Sequence, residues 1–158
     1  MNGNIIKISH FPKRTPKDTV LTKTRTVLDN ICRSCTVEED ITSGNYVLDA
    51  EFLVDSGGLW NELVEESILK CQLDYGTEIF VIKKVKKQSR YITVAAVQMT
   101  IHACNTLWLE DVRPTNTNGQ GALSHMLTNA IGKKKEIVLQ SNISTINTAY
   151  YQRKRLQE

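Results

Sequence analysis

The stretch that most constrains this chain runs from residue 106 to 134. An apolar segment, TLWLEDVRP, leads into a turn of small polar residues that closes on Gly119-Gln120-Gly121, and SHMLTNAIGKK then follows on helical spacing. Strand, glycine turn and helix in that order describe an anion site. A helix N-terminus carries unpaired backbone N–H groups and the positive end of the macrodipole, and glycines let a phosphate approach that backbone closely. An ordinary connection has the same order, so the flanking chain must decide between the two.

A length of 158 residues suits one domain with a core of ordinary size. The composition, 41% hydrophobic and 23% charged, is that of a globular protein rather than a disordered or membrane one. Asn2, Asn4, Lys7, His10 and Pro12 interrupt the first residues, so no apolar signal-peptide core can be drawn there and a cytoplasmic location is expected. Four cysteines, at 32, 35, 71 and 104, fall short of a disulfide scaffold and are expected as thiols. Cys32 and Cys35 have metal or redox spacing, but no second close Cys or His pair completes a zinc site, so no metal is expected.

Charge is segregated along the chain. Residues 1–26 carry +5, residues 27–78 carry −10 and residues 79–158 carry +8, which together give the net +3. An acidic segment beside a basic half suggests two different ligands or surfaces.

In chain order, Ile5 to Ile8 reads as a short strand before Pro12 and Pro16. Val20, Val27, Leu28 and Ile31 recur at helical spacing, so the pattern predicts a helix from Thr19 to Ser34. Tyr46 to Val54 is a short apolar run between loops. Leu59, Leu63, Ile68 and Leu69 predict a second helix ending near Leu73, with Glu62, Glu65 and Glu66 outward. From Thr77 the period becomes that of strands: Ile79 to Lys84, Tyr91 to Ile101 and Thr106 to Val112 predict an antiparallel meander, with a hairpin turn at Lys86 to Ser89. Leu123, Met126, Leu127, Ala130 and Ile131 share one face of a helix from Gln120 to Lys133. Glu136 to Ser141 then reads as a strand parallel to the Thr106 strand, and Ser144 to Arg155 as a last helix.

Assembled, that order resembles the GNAT N-acetyltransferase superfamily, most clearly over residues 77–156. The family's acyl-CoA signature is Gln or Arg, two residues, Gly, one residue, then Gly or Ala. Here it reads Asn116-Thr117-Asn118-Gly119-Gln120-Gly121, preceded by the family's valine and proline as Val112 and Pro114. Asn116 departs from the pattern, being shorter and uncharged. The resemblance implies a single α/β domain, 1–158, with a mixed, mostly antiparallel sheet flanked by helices. Residues 1–76 would form the acceptor side and residues 77–158 the acyl-CoA side.

It also implies acetyl-CoA as co-substrate. The amides of Gly119, Gln120, Gly121 and Ala122, in the turn that holds Asn116 and Asn118, would bind the pyrophosphate, and main chain near Asp111 and Val112 would pair with pantetheine. Aligned on the family's tyrosine, Tyr151 becomes the candidate general acid toward the departing thiolate, with Tyr150 in reserve. A phenol is a reasonable donor to a thiolate. Glu110 or Asp111 would take the proton of the attacking amine, and alternation in a strand lets only one of them face a cleft; Glu110 is preferred. An acceptor region carrying −10 favours a cationic amine such as a polyamine, a lysine side chain or an aminoglycoside.

GNAT domains usually continue past this last helix with further strands that cover the acceptor. With the sequence ending at Glu158, a homodimer partner or the N-terminal strand is expected to supply that wall, or else the domain no longer catalyses and serves as a binding or assembly module. Nucleic acid could be bound only through Lys83 to Arg90, Lys133 to Lys135 and Arg153 to Arg155. These stretches carry no recognisable motif, and solvated faces explain them better.

Overall fold

A computed structural model describes residues 5–40, 42–132 and 137–155. The chain is mixed α/β, with mostly antiparallel strands and few helices. It divides into two compact units, Met1–Met99 and Thr100–Glu158.

The first unit is one seven-stranded sheet. Its strands are β1 (Ile5–Phe11), β2 (Thr26–Val27), β3 (Cys32–Asp40), β4 (Asn45–Leu53), β5 (Ile68–Leu73), β6 (Gly76–Lys87) and β7 (Tyr91–Gln98), in the order β2-β1-β5-β6-β7-β4-β3. Every neighbouring pair is antiparallel. Strand β7 shows why this sequence makes a sheet with one apolar face: Ile92, Val94 and Ala96 are buried, while Tyr91, Thr93, Ala95 and Val97 alternate with them on the other side. The buried set joins Ile8, Val37, Leu48, Phe52, Leu69, Phe80 and Ile82 in one core.

The sheet curls around that core until one turn reaches both of its edge regions. Leu28 donates its amide to the Ile8 carbonyl of β1 at 3.0 Å, and three residues on, the Ile31 carbonyl accepts from Leu53 of β4 at 2.7 Å. On the opposite face a smaller cluster of Phe11, Val20, Ile68 and Ile79 is capped by α1 (Lys17–Thr22).

Two bulges correct the phase of the sequence. In β6 the register slips between Ile82 and Lys84, so Lys83 is the extra residue. Strict alternation would have put Lys84 on the same face as core residue Ile82; the bulge turns it outward. In β3 the register slips between Cys32 and Ser34. Cys32 and Cys35, three apart, therefore pair with Phe52 and Ala50 and face the same way as those two buried side chains.

The second unit holds α2 (Met99–Asn105, which begins at the junction), β8 (Trp108–Val112), α3 (Gly119–Asn129) and β9 (Tyr151–Arg155). β8 and β9 form a two-stranded antiparallel sheet. Leu107, Leu109, Val112, Met126 and Ala130 make its core, with Leu123, Leu127, Ile137 and Tyr151 packed against them.

Several expectations are corrected. The helix expected over Thr19 to Ser34 is a six-residue helix, the short strand β2 and the start of β3. The helix expected to end near Leu73 is a 3-10 turn, Leu59–Glu62, followed by β5. β7 stops at Gln98 and turns into α2. The Thr106 strand pairs with β9 instead of completing a meander. Residues 137–141 are not a strand, and residues 144–150 are irregular before β9. Ile146 and Tyr150, expected on a helix face, are 64% and 50% exposed, so among the described residues a helix there would have little apolar surface to pack against. Lys133 to Glu136 lie outside the described residues.

Candidate functional site

The glycine turn is where the sequence places it, but its polar groups are already engaged by the chain itself. Asn118 is the N-cap of α3, its side chain accepting from the Gly121 amide at 2.9 Å, which satisfies one unpaired donor of the first turn. The Ala122 amide donates to the Asn118 carbonyl at 2.9 Å, and the Gly119 amide donates to the Ile143 carbonyl at 3.0 Å. Of the four amides assigned to a pyrophosphate, that leaves Gln120's.

Residues 139–149 run back along this turn and close it. The Gln120 side chain accepts from the Ser141 amide at 2.9 Å and donates to the Leu139 carbonyl at 3.2 Å. Thr117 and Asn147 exchange backbone bonds of 3.1 and 3.0 Å, and Asn116 donates its amide to the Thr148 hydroxyl at 3.1 Å. A Cβ at Gly119 would collide with the Ser141 hydroxyl and lie 2.8 Å from Ile143 Cβ. One at Gly121 would collide with Thr117 Oγ1. These glycines admit neighbouring chain.

The proposed catalytic residues stand around β8. Glu110 and Asp111 are both exposed, and the buried positions of the strand are Leu109 and Val112. Asp111 takes both oxygens to Arg113, at 3.0 and 3.3 Å, and that guanidinium lies 4.2 Å from the centre of the Tyr150 ring. Tyr151 pairs with Val112 in the ladder and is half-buried against the core of its unit. Asp111, Arg113 and Tyr150 are thus brought together as a solvent-exposed stack, and Glu110 has no part in it.

A different face of the first unit is open. Across β3, β4, β7 and β6 two cross-strand rows lie side by side: Ser34–Glu51–Thr93–Lys86 and Thr36–Asp49–Ala95–Lys84. The small side chains leave a hollow of about 440 Å³ bounded by all eight residues. Two acids stand on β4 and two lysines on β6, separated by the Thr93 and Ala95 column of β7. Glu51 is held by Arg33 at 2.8 Å. Sequence reading missed this face because it needs the strand register and the Lys83 bulge. The signal available was period-2 repetition, Asp49 with Glu51 and Lys84 with Lys86.

Cys32 and Cys35 line a second hollow of about 270 Å³ with Lys7, Ile8, Asp29, Arg33 and Ser34. The hydrogen bond to Cys35, reinforced by burial, pushes the Cys32 thiol well above its ordinary range. Cys35 is drawn down by that same bond but pushed up more by its hydrogen bond to Cys71 and by burial, so it too ends high. Both stay protonated, the opposite of an activated nucleophile. Among the described residues no group of three or more His, Cys, Asp or Glu is placed to hold a metal, and no helix is long and apolar enough to cross a membrane. Compared with protein-family models, curated proteins and solved structures, the chain matches none of them.

Proposed function

We propose that this chain is a binding and assembly module that does not transfer acyl groups, and that the polar face of β3, β4, β7 and β6 is its contact surface. The observation that carries this reading is the engagement of the glycine turn: three of its four amides bond within the chain, and the space beside both glycines is filled. A pyrophosphate would have to displace Ile143 from the Gly119 amide and the Asn118 side chain from the Gly121 amide. The exposed stack of Asp111, Arg113 and Tyr150 adds no enclosed cleft in which a thioester and an amine would meet away from water.

N-acetyl transfer from acetyl-CoA to a cationic amine, on a GNAT-like architecture, is the second reading. It is favoured by β8, Pro114, the glycine turn and α3 standing in the order of the acyl-CoA signature. In it Tyr151 protonates the thiolate and Glu110 accepts the amine proton. Release of free CoA thiol from acetyl-CoA, followed with a polyamine, a lysine peptide and an aminoglycoside, separates the two. The binding-module reading expects no release above the rate without protein; release lost in Tyr151→Phe would establish the second.

A further inference from the structure

The open face is complementary to itself, and we infer that it pairs with the same face of a second copy of this chain. This inference rests on the binding-module reading and names its partner. Acids occupy one strand of the face, β4, and lysines another, β6, with the small column of β7 between them. A two-fold axis running along β7 lays the β4 column of one copy over the β6 column of the other. Such an axis preserves position along the strands, so each row meets itself: Asp49 faces Lys84 of the second copy, and Glu51 faces Lys86. The contact is isologous, each pair occurring twice.

Shape follows the same symmetry. The hollow extends from β7 toward β3 over Ser34 and Thr36, both short and exposed. The second copy's lysine column falls above that hollow, so a ridge of long side chains meets a floor of short ones. Among the described residues Lys84, Lys86 and Asp49 have no ion-pair partner within the chain. Glu51 is shared with Arg33, which keeps its carboxylate on this face. The lysines of this face favour one partner by charge. Ion pairs exposed to water are individually weak, so the dimer is expected to be salt-sensitive.

Sedimentation equilibrium of the full chain tests this. Wild type is expected to dimerise at low salt, and about 1 M salt, where the Debye length shrinks to about 3 Å, is expected to weaken the dimer by about tenfold or more. Lys84→Glu with Lys86→Glu, and separately Asp49→Lys with Glu51→Lys, should each be monomeric with wild-type circular dichroism. Mixing the two variants should restore a dimer containing one of each. A wild-type chain that is monomeric at low salt, a dimer unaffected by either reversal, or folded variants that do not associate when mixed would each overturn the inference. Binding of acetyl-CoA would leave these outcomes unchanged, so failure of the functional reading is distinguishable from failure of this one.

Discussion

The amide of Gly119 donates to the carbonyl of Ile143 at 3.0 Å, across a gap that a single added carbon would fill. A segment expected to open into a phosphate site is closed by a stretch of chain 24 residues further on. Gly119→Ala should therefore lower the stability of the second unit by roughly 1–3 kcal/mol through overpacking, despite alanine's better helix propensity. Thermal unfolding of this variant beside Gly119→Ala/Ser141→Gly checks it. Relief of the clash by the second substitution is expected, because the Ser141 hydroxyl is one of the atoms met.

Asn118→Ala removes the side chain that caps α3 and leaves the Gly121 amide without its acceptor. A loss of about 1 kcal/mol is expected, measured by chemical denaturation. Asn118→Asp should retain most of the stability, since a carboxylate accepts the same bond and favours the positive helix end.

His10 sets a pH dependence. Its Nδ1 lies 3.0 Å from Glu62 Oε2, while Nε2 is buried with no partner among the described residues. The ring therefore donates from Nδ1 in its neutral form, and a second proton would sit on a nitrogen with nothing to receive it. Burial lowers its pKa below 6.5, outweighing the opposing hydrogen bond to Glu62. A base with a lowered folded pKa costs nothing above 6.5, where both states are neutral. Below 6.5 the unfolded chain takes the proton first, and stability falls by at most about 1.4 kcal/mol per pH unit until the folded pKa is reached. Denaturation between pH 7 and 5.5 should show this decline, and His10→Gln should flatten it.

Raised thiols make Cys32 and Cys35 slow toward alkylating reagents. Iodoacetamide labelling at pH 7.5 should be at least about tenfold slower in the folded chain than in denaturant, and the folded rate should still be rising past pH 9. A folded rate equal to the unfolded one would contradict the upward shift of these thiols.

Much of the strand-rich middle was legible. Ile79 to Lys84 and Tyr91 onward mark β6 and β7, and α3 follows from Leu123, Met126 and Leu127; Tyr46 to Val54, which reads only as a short apolar run between loops, forms β4. The failures have physical causes. Val20, Val27, Leu28 and Ile31 mimic a helix face, yet Val20 packs in one cluster and Leu28 and Ile31 in another. Strand β3, CRSCTVEED, has little β propensity of its own and forms because β4 pairs with it. The bulges at Arg33 and Lys83 leave no mark on composition, and they decide which side Cys32 and Lys84 face. At the site, the turn and its N-cap could be read locally. Its closure by Ser141 and Ile143 is a long-range contact that no local pattern encodes.

Isothermal titration of the chain with acetyl-CoA to millimolar concentration tests the central claim most directly. The engaged turn predicts no heat of binding beyond dilution and no rise in melting temperature. Saturable binding with a matching thermal shift, which a ligand held by the folded state alone must produce, would contradict it.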